Sequence, residues 1–125
     1  MKGMTETFFF DTYAFIEVIK GNENYRRYSN SNPLTAIFNI KELYYILLKD
    51  FGKDIADLHV DKYANFVVDV PLWVIKNAME FKLLHKKENL SYTDCIGYIL
   101  AMKSGVKFLT GDSKFKGRQN VEFVR

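Results

Sequence analysis

The feature that most constrains this chain is a series of short apolar runs set between stretches of helical spacing. Residues 7–10 (TFFF), 65–70 (NFVVDV) and 106–109 (VKFL) read as strands, as does 121–124. They are apolar runs instead of clean polar–apolar alternations, the pattern of parallel strands covered on both faces. Strands separated by helical segments predict a mostly parallel sheet with right-handed crossovers. The expectation is a three-layer α/β domain, with a central sheet of four to five strands flanked by helices. With 48% hydrophobic residues over 125 positions, the chain can build one sizeable core as a single domain over residues 1–125.

The helices follow from period and caps. Residues 12–20 carry Ala14, Phe15, Val18 and Ile19 at helical spacing, and Gly21 ends them. Residues 22–32 read as a short helix and a loop carrying Arg26 and Arg27. Asn32 as N-cap and Pro33 as first helical residue predict a largely buried helix running to Gly52. A polar amphipathic segment follows at 53–63. Pro71 opens another helix, with Leu72, Ile75, Met79 and Leu83 on one face. Residues 91–104 form the last helix, closed by Gly105.

In open parallel sheets, sites form beyond the carboxyl ends of the strands. Asp11 directly follows the first strand, and Asp112 lies just past the strand ending at Leu109, so both belong to one edge. Asp69 instead falls inside the predicted second strand. Asp94 begins a helix that leads back into a strand, which puts it on the same edge as Asp11. Glu42 lies within an apolar helix, where a carboxylate is costly unless paired or metal-bound. Each acid also has an ordinary reading. Asp11 suits an N-cap and Asp112 a turn. Ser91 and Asp94 have capping-box spacing, and Glu42 fits a polar stripe with Thr35 and Asn39. Carboxylates gathered at one place raise each other's pKa unless a cation neutralises them. Oxygen ligands without a Cys or His cluster favour Mg²⁺, Mn²⁺ or Ca²⁺. Such a pocket suits phosphodiester hydrolysis by a metal-activated water.

Other chemistries have little support. No phosphate-binding glycine motif is present. Cys95 reads as a small buried core residue, and His59 and His85 lack zinc-site spacing. Tyr44 and Tyr45 read as core, and Lys86–Lys87 as a solvated helix end. A net charge of +3 permits a polyanionic partner without requiring one. A single cysteine suits a reducing, cytoplasmic setting. The opening apolar run is too short for a signal-peptide core. No stretch approaches the roughly 18 apolar residues of a membrane span, so no membrane association is expected.

These residues together resemble a PIN domain across essentially the whole chain. FFFDTYAFI resembles the opening strand, the Asp followed by Ser or Thr, and the apolar helix. NIKELYYIL resembles the helix-borne Glu segment. SYTDCIGYILAMKSGVKFLTGDSKF resembles the closing block, with Thr-x-Asp after a strand. The resemblance implies a Mg²⁺- or Mn²⁺-dependent ribonuclease using Asp11, Glu42, Asp94 and Asp112. Thr12, Thr110 and Ser113 would support the site, with Thr110 shaping the pocket. At this length the chain is most similar to VapC-type toxins, which implies a homodimer, an RNA substrate and a VapB-like antitoxin partner. Lys114 departs from the pattern, standing where many relatives add a further acid. Arg26, Arg27, Lys114 and Arg118 are candidate phosphate contacts. Two rival readings are a non-catalytic PIN-like module that binds RNA or protein, and a receiver-like phosphoacceptor domain. The second is disfavoured because the first strand ends in one acid, not an adjacent pair.

Overall fold

The structure, a computed structural model, describes residues 6–125. Residues 1–5, part of the single-domain expectation, lie outside the described residues. Strand β1 (Thr7–Phe10) sits inside a four-stranded parallel sheet of order β2-β1-β3-β4. Its companions are β2 (Asn32–Leu34), β3 (Lys107–Thr110) and β4 (Val121–Phe123). Alternation along the strands sends Phe8, Phe10 and Leu109 to one face, and Phe9 and Phe108 to the other. Helices α1 (Thr12–Ile19), α2 (Ile37–Phe51) and α3 (Lys53–Tyr63) cover the first face through Phe15, Leu43, Leu47 and Tyr63. Helices α4 (Leu72–Leu84) and α5 (Tyr92–Lys103) cover the second through Val74, Ala78, Ile96 and Leu100. The three-layer expectation therefore holds. Each fully buried Phe contributes roughly 1.5–3 kcal/mol to this core.

Helix α5 lies unusually close to the sheet. A Cβ at Gly97 would sit 2.8 Å from the Phe9 ring and 3.1 Å from the Phe108 ring. Only glycine permits that approach, and it fixes the height of the first turn of α5 above the sheet edge. Ser91 caps this turn by accepting from the Asp94 backbone N–H at 3.0 Å. The glycine stops also stand: Gly21, Gly52 and Gly105 have φ of 78°, 89° and 73°. Cys95 is buried, and burial pushes its thiol up to about 11.

Three expectations are corrected. Asn32 and Pro33 do not open a helix. They form β2, where Phe8 pairs with Pro33, and α2 starts only at Ile37 with Ala36 as N-cap. Pro33 is tolerated because β2 is an edge strand, so its missing N–H interrupts no inner ladder. Residues 65–70 do not form a strand. Thr35 satisfies its own backbone against Phe66 and Val68, and a single parallel bridge joins Thr35 to Val67. Finally, the buried faces of two helices differ from the reading. In α4 the core side chains are Val74 and Ala78, while Leu72 and Leu83 are exposed. In α2 only one side is buried. Ile37 and Phe51 remain exposed, as does Tyr45, while Tyr44 reaches Asp57 with its hydroxyl at 2.7 Å. Period alone marks a helix as apolar but does not say which side meets the sheet.

Candidate active site

Parallel register brings Asp11 and Asp112 together, because β1 and β3 are neighbours and both acids follow their carboxyl ends. The Asp11 backbone N–H donates to the Leu109 carbonyl at 3.1 Å, continuing the ladder one residue past the strand. Asp11 is also the N-cap of α1, its Oδ1 accepting from the Thr12 N–H at 2.7 Å. Its Oδ2 accepts from the Thr110 hydroxyl at 2.6 Å. Thr110 Oγ1 in turn accepts from the Asp112 N–H at 3.1 Å. One fully buried hydroxyl thus joins both strand ends. Asp112 caps the short turn Ser113–Phe115, its Oδ1 accepting from the Lys114 N–H at 3.0 Å. Capping and site-building are not alternatives here. The caps orient the carboxylates and leave lone pairs for another partner.

Glu42 joins from α2. Its Oε1 accepts from the Thr12 hydroxyl at 2.9 Å, and Thr12 Oγ1 accepts from Asn39 Nδ2 at 3.2 Å. Asn39 is buried and its Oδ1 has no partner. Asp11, Glu42, Asp94 and Asp112 all line one cavity of about 390 Å³, with Thr12 and Ser113 in its wall. Tyr13, Ile16 and Ile46 give the cavity an apolar side.

Electrostatics marks this cavity as strained. Burial pushes the Asp11 carboxyl well above its ordinary value, and the charge of Asp94 pushes it further. Hydrogen bonds from Thr110 and Thr12 oppose the shift. Asp94 is also raised, first by burial and then by the charges of Asp112 and Glu42, against the Ser91 hydroxyl. A divalent cation would relieve this, and the donors are all oxygens, which suits Mg²⁺ or Mn²⁺. Among the described residues, no three acidic, His or Cys side chains are gathered closely enough to enclose an ion.

The basic candidates stand apart from this cavity. Arg27 lies 3.7 Å from Glu6 and over the Tyr28 ring. Arg26 borders a separate hollow beside Asn22 and Ser29. Lys114 Nζ donates to the Asn89 carbonyl at 3.0 Å. Arg118 pairs with Glu88 and lies over the rings of Phe81 and Phe115. Arg118→Ala is therefore expected to cost about 1 kcal/mol through lost packing, read as a fall in thermal melting. Melting unchanged by the substitution would mean that the contacts of Arg118 with Phe81 and Phe115 add nothing to stability.

Two wall residues, Gly111 and Arg125, escaped sequence reasoning, whereas Asn39, read beside Glu42 on the polar stripe, backs the wall by holding Thr12. Asn39 precedes Glu42 by three positions, so helical spacing alone puts both on one face. Gly111 closes against Tyr13 and Val124. Arg125 follows β4, and parallel strand direction sends it to the same edge as the acids.

Solved structures that share this fold include the following three. VapC20 of Mycobacterium tuberculosis, a sarcin–ricin-loop-cleaving toxin, superposes with a TM-score of 0.77 at 18% identity, covering 94% of this chain and 99% of its own. VapBC2 from Rickettsia felis, bound to a DNA fragment from its promoter, gives 0.73 at 17% identity over 95% and 99%. A toxin–antitoxin complex from Klebsiella pneumoniae gives 0.71 at 13% identity over 94% and 96%. Comparison with curated protein sequences gives no match. At these identities the likeness concerns the fold. The profile of the PIN domain matches residues 8–119, and the chain belongs to the PIN domain family.

Proposed function

We propose that this chain is a metal-dependent endoribonuclease of the VapC toxin type, hydrolysing RNA phosphodiesters in the acidic cavity. The observation that carries the reading is the convergence of Asp11, Glu42, Asp94 and Asp112 on one cavity at the carboxyl edge of the sheet. Asp11, Asp94 and Asp112 would hold Mg²⁺ or Mn²⁺ directly or through water. When bound, the metal lowers the pKa of a water and stabilises charge on the phosphate and leaving oxygen. Thr110 holds Asp11 and the Asp112 loop in register. Thr12, steadied by Asn39, orients Glu42 to ligate or to direct the attacking water. In-line attack leaves a 3′-hydroxyl and a 5′-phosphate.

The reading extends to partners and setting. Residues 1–125 act as one domain in the cytoplasm, as a homodimer restrained by a VapB-like antitoxin. Exposed apolar side chains on α2 and α3 (Ile37, Tyr45, Leu58) and on α4 (Trp73, Leu83, Leu84) support such coverage. No helix among the described residues is long and apolar enough to cross a membrane.

A second reading is a PIN-like module that binds RNA or protein without turnover. It would share the fold and use exposed apolar side chains such as Trp73, Leu83 and Leu84 as its contact surface. Incubating purified protein with labelled RNA separates the two. Cleavage with Mn²⁺, abolished by EDTA and leaving 5′-phosphate ends, is expected of the enzyme. Metal-independent binding without cleavage would establish the module.

A further inference from the structure

We infer that Arg125 grips a substrate phosphate at the mouth of the acidic cavity, an inference that rests on the ribonuclease reading above. Among the described residues, Arg125 is the one basic residue that lines this cavity. Its backbone is tied down with unusual care for an exposed position. The Val124 N–H donates to the Thr110 carbonyl at 3.0 Å. The hydroxyl of fully buried Tyr25 donates to the Val124 carbonyl at 2.5 Å. Asn24 Nδ2 donates to the Arg125 carbonyl at 2.7 Å. Two of these tethers come from the turn Glu23–Tyr28 and one from β3, so the rim is braced from both sides.

The guanidinium itself is uncommitted. Arg125 makes no ion pair with any acid among the described residues, although four carboxylates share its cavity. The other candidate cations are already engaged or border another hollow: Arg27 with Glu6, Lys114 with Asn89, Arg118 with Glu88, Arg26 beside Ser29. A cavity of four carboxylates repels the phosphate backbone it must admit, and a single bound metal offsets only part of that charge. A planar guanidinium on an anchored backbone supplies the missing attraction, with two N–H groups matched to two phosphate oxygens. Lysine carries the charge without that fork, so it should replace Arg125 only in part.

The test uses the wild-type chain, Arg125→Ala, Arg125→Lys and, as a control, Lys76→Ala, an exposed α4 lysine outside the cavity. Binding of a short mixed-sequence single-stranded RNA is followed by fluorescence anisotropy in EDTA across a salt series, and cleavage is followed with Mn²⁺. Arg125→Ala should weaken binding about tenfold. It should also flatten the slope of log affinity against log salt by about 0.7, the loss of one phosphate contact on a single strand. KM should rise more than kcat falls, and Arg125→Lys should recover part of the loss. If wild type cleaves RNA but Arg125→Ala matches it in affinity, slope and KM, the inference is wrong and the ribonuclease reading survives. An equal loss in Lys76→Ala would also overturn it, because the effect would then be diffuse charge. If wild type shows no Mn²⁺-dependent cleavage, the ribonuclease reading itself fails and takes the inference with it.

Discussion

Asp11→Asn is expected to abolish Mn²⁺-dependent RNA cleavage while making the metal-free protein at least as stable at neutral pH. Asparagine caps a helix as well as aspartate, so the bond from the Thr12 N–H survives. The Thr110 hydroxyl can rotate to meet an amide. What is lost is a negative oxygen at the centre of the cavity. Metal catalysis contributes several kcal/mol, so removing a central ligand should slow cleavage by about 10³-fold. The gain in stability follows from linkage. The folded pKa of Asp11 lies well above its ordinary value of 3.8, so the native state binds more protons than the unfolded chain between those two values. The contribution of Asp11 to the stability of the metal-free wild type is therefore fully present below 3.8 and is lost as pH rises through that window. Asp94, raised in the same direction, adds to the trend. In EDTA, the melting temperature of wild type should rise as pH is lowered from neutral towards the ordinary carboxylate range. Asp11→Asn should show a flatter dependence. Identical cleavage and identical pH profiles for the two proteins would remove Asp11 from the mechanism.

The second large effect is expected from Gly111→Ala. A Cβ here would run into the Tyr13 ring and lie 2.5 Å from the Val124 carbonyl oxygen. That carbonyl has little room to retreat, because Tyr25 holds it at 2.5 Å and the Val124 N–H is bonded to Thr110. Overpacking of this kind costs about 1–3 kcal/mol. For a chain of this length that corresponds to a fall in melting temperature of roughly 3–12 °C. Activity should drop further than stability alone explains. Gly111 stands between Thr110, which holds Asp11, and Asp112, which shares the cavity. Any shift that admits the methyl group moves both acids relative to each other, and a displacement of 1 Å can cost about 10²-fold in rate. Normal melting with full activity would mean that the 110–112 loop adjusts freely.

These expectations show how much of the site was legible in the residues. The edge location of Asp11 and Asp112 needed only strand direction, and parallel pairing of β1 with β3 bears it out. Asp94 was visible as a helix start, and its Ser91 cap is as read. What local pattern could not supply was β2. Asn32–Pro33 carries a strong helix-start signal, yet its backbone is taken up by pairing with β1, a contact distant in sequence. The same pairing occupies Thr35 and leaves residues 65–70 with a bridge instead of a strand. Buried helix faces were missed for a related reason, since Ala78 gives a weak apolar signal but allows the closest packing. Arg125 was within reach of the argument already made for Asp112. Because β4 runs parallel to β3, whatever follows it arrives at the acidic edge.

The most direct test of the account is crystallographic. Crystals of the wild-type protein soaked in Mn²⁺ should give an anomalous difference peak inside the cavity, with oxygens of Asp11, Asp94 and Asp112 converging on it directly or through water. Direct ligands should lie roughly 2.0–2.6 Å from the ion, the range of hard divalent cations with oxygen donors. Thr110 should keep its bond to Asp11 as the carboxylates draw in. A cavity that stays empty at saturating Mn²⁺, or a peak only elsewhere on the surface, would contradict the metal-dependent mechanism.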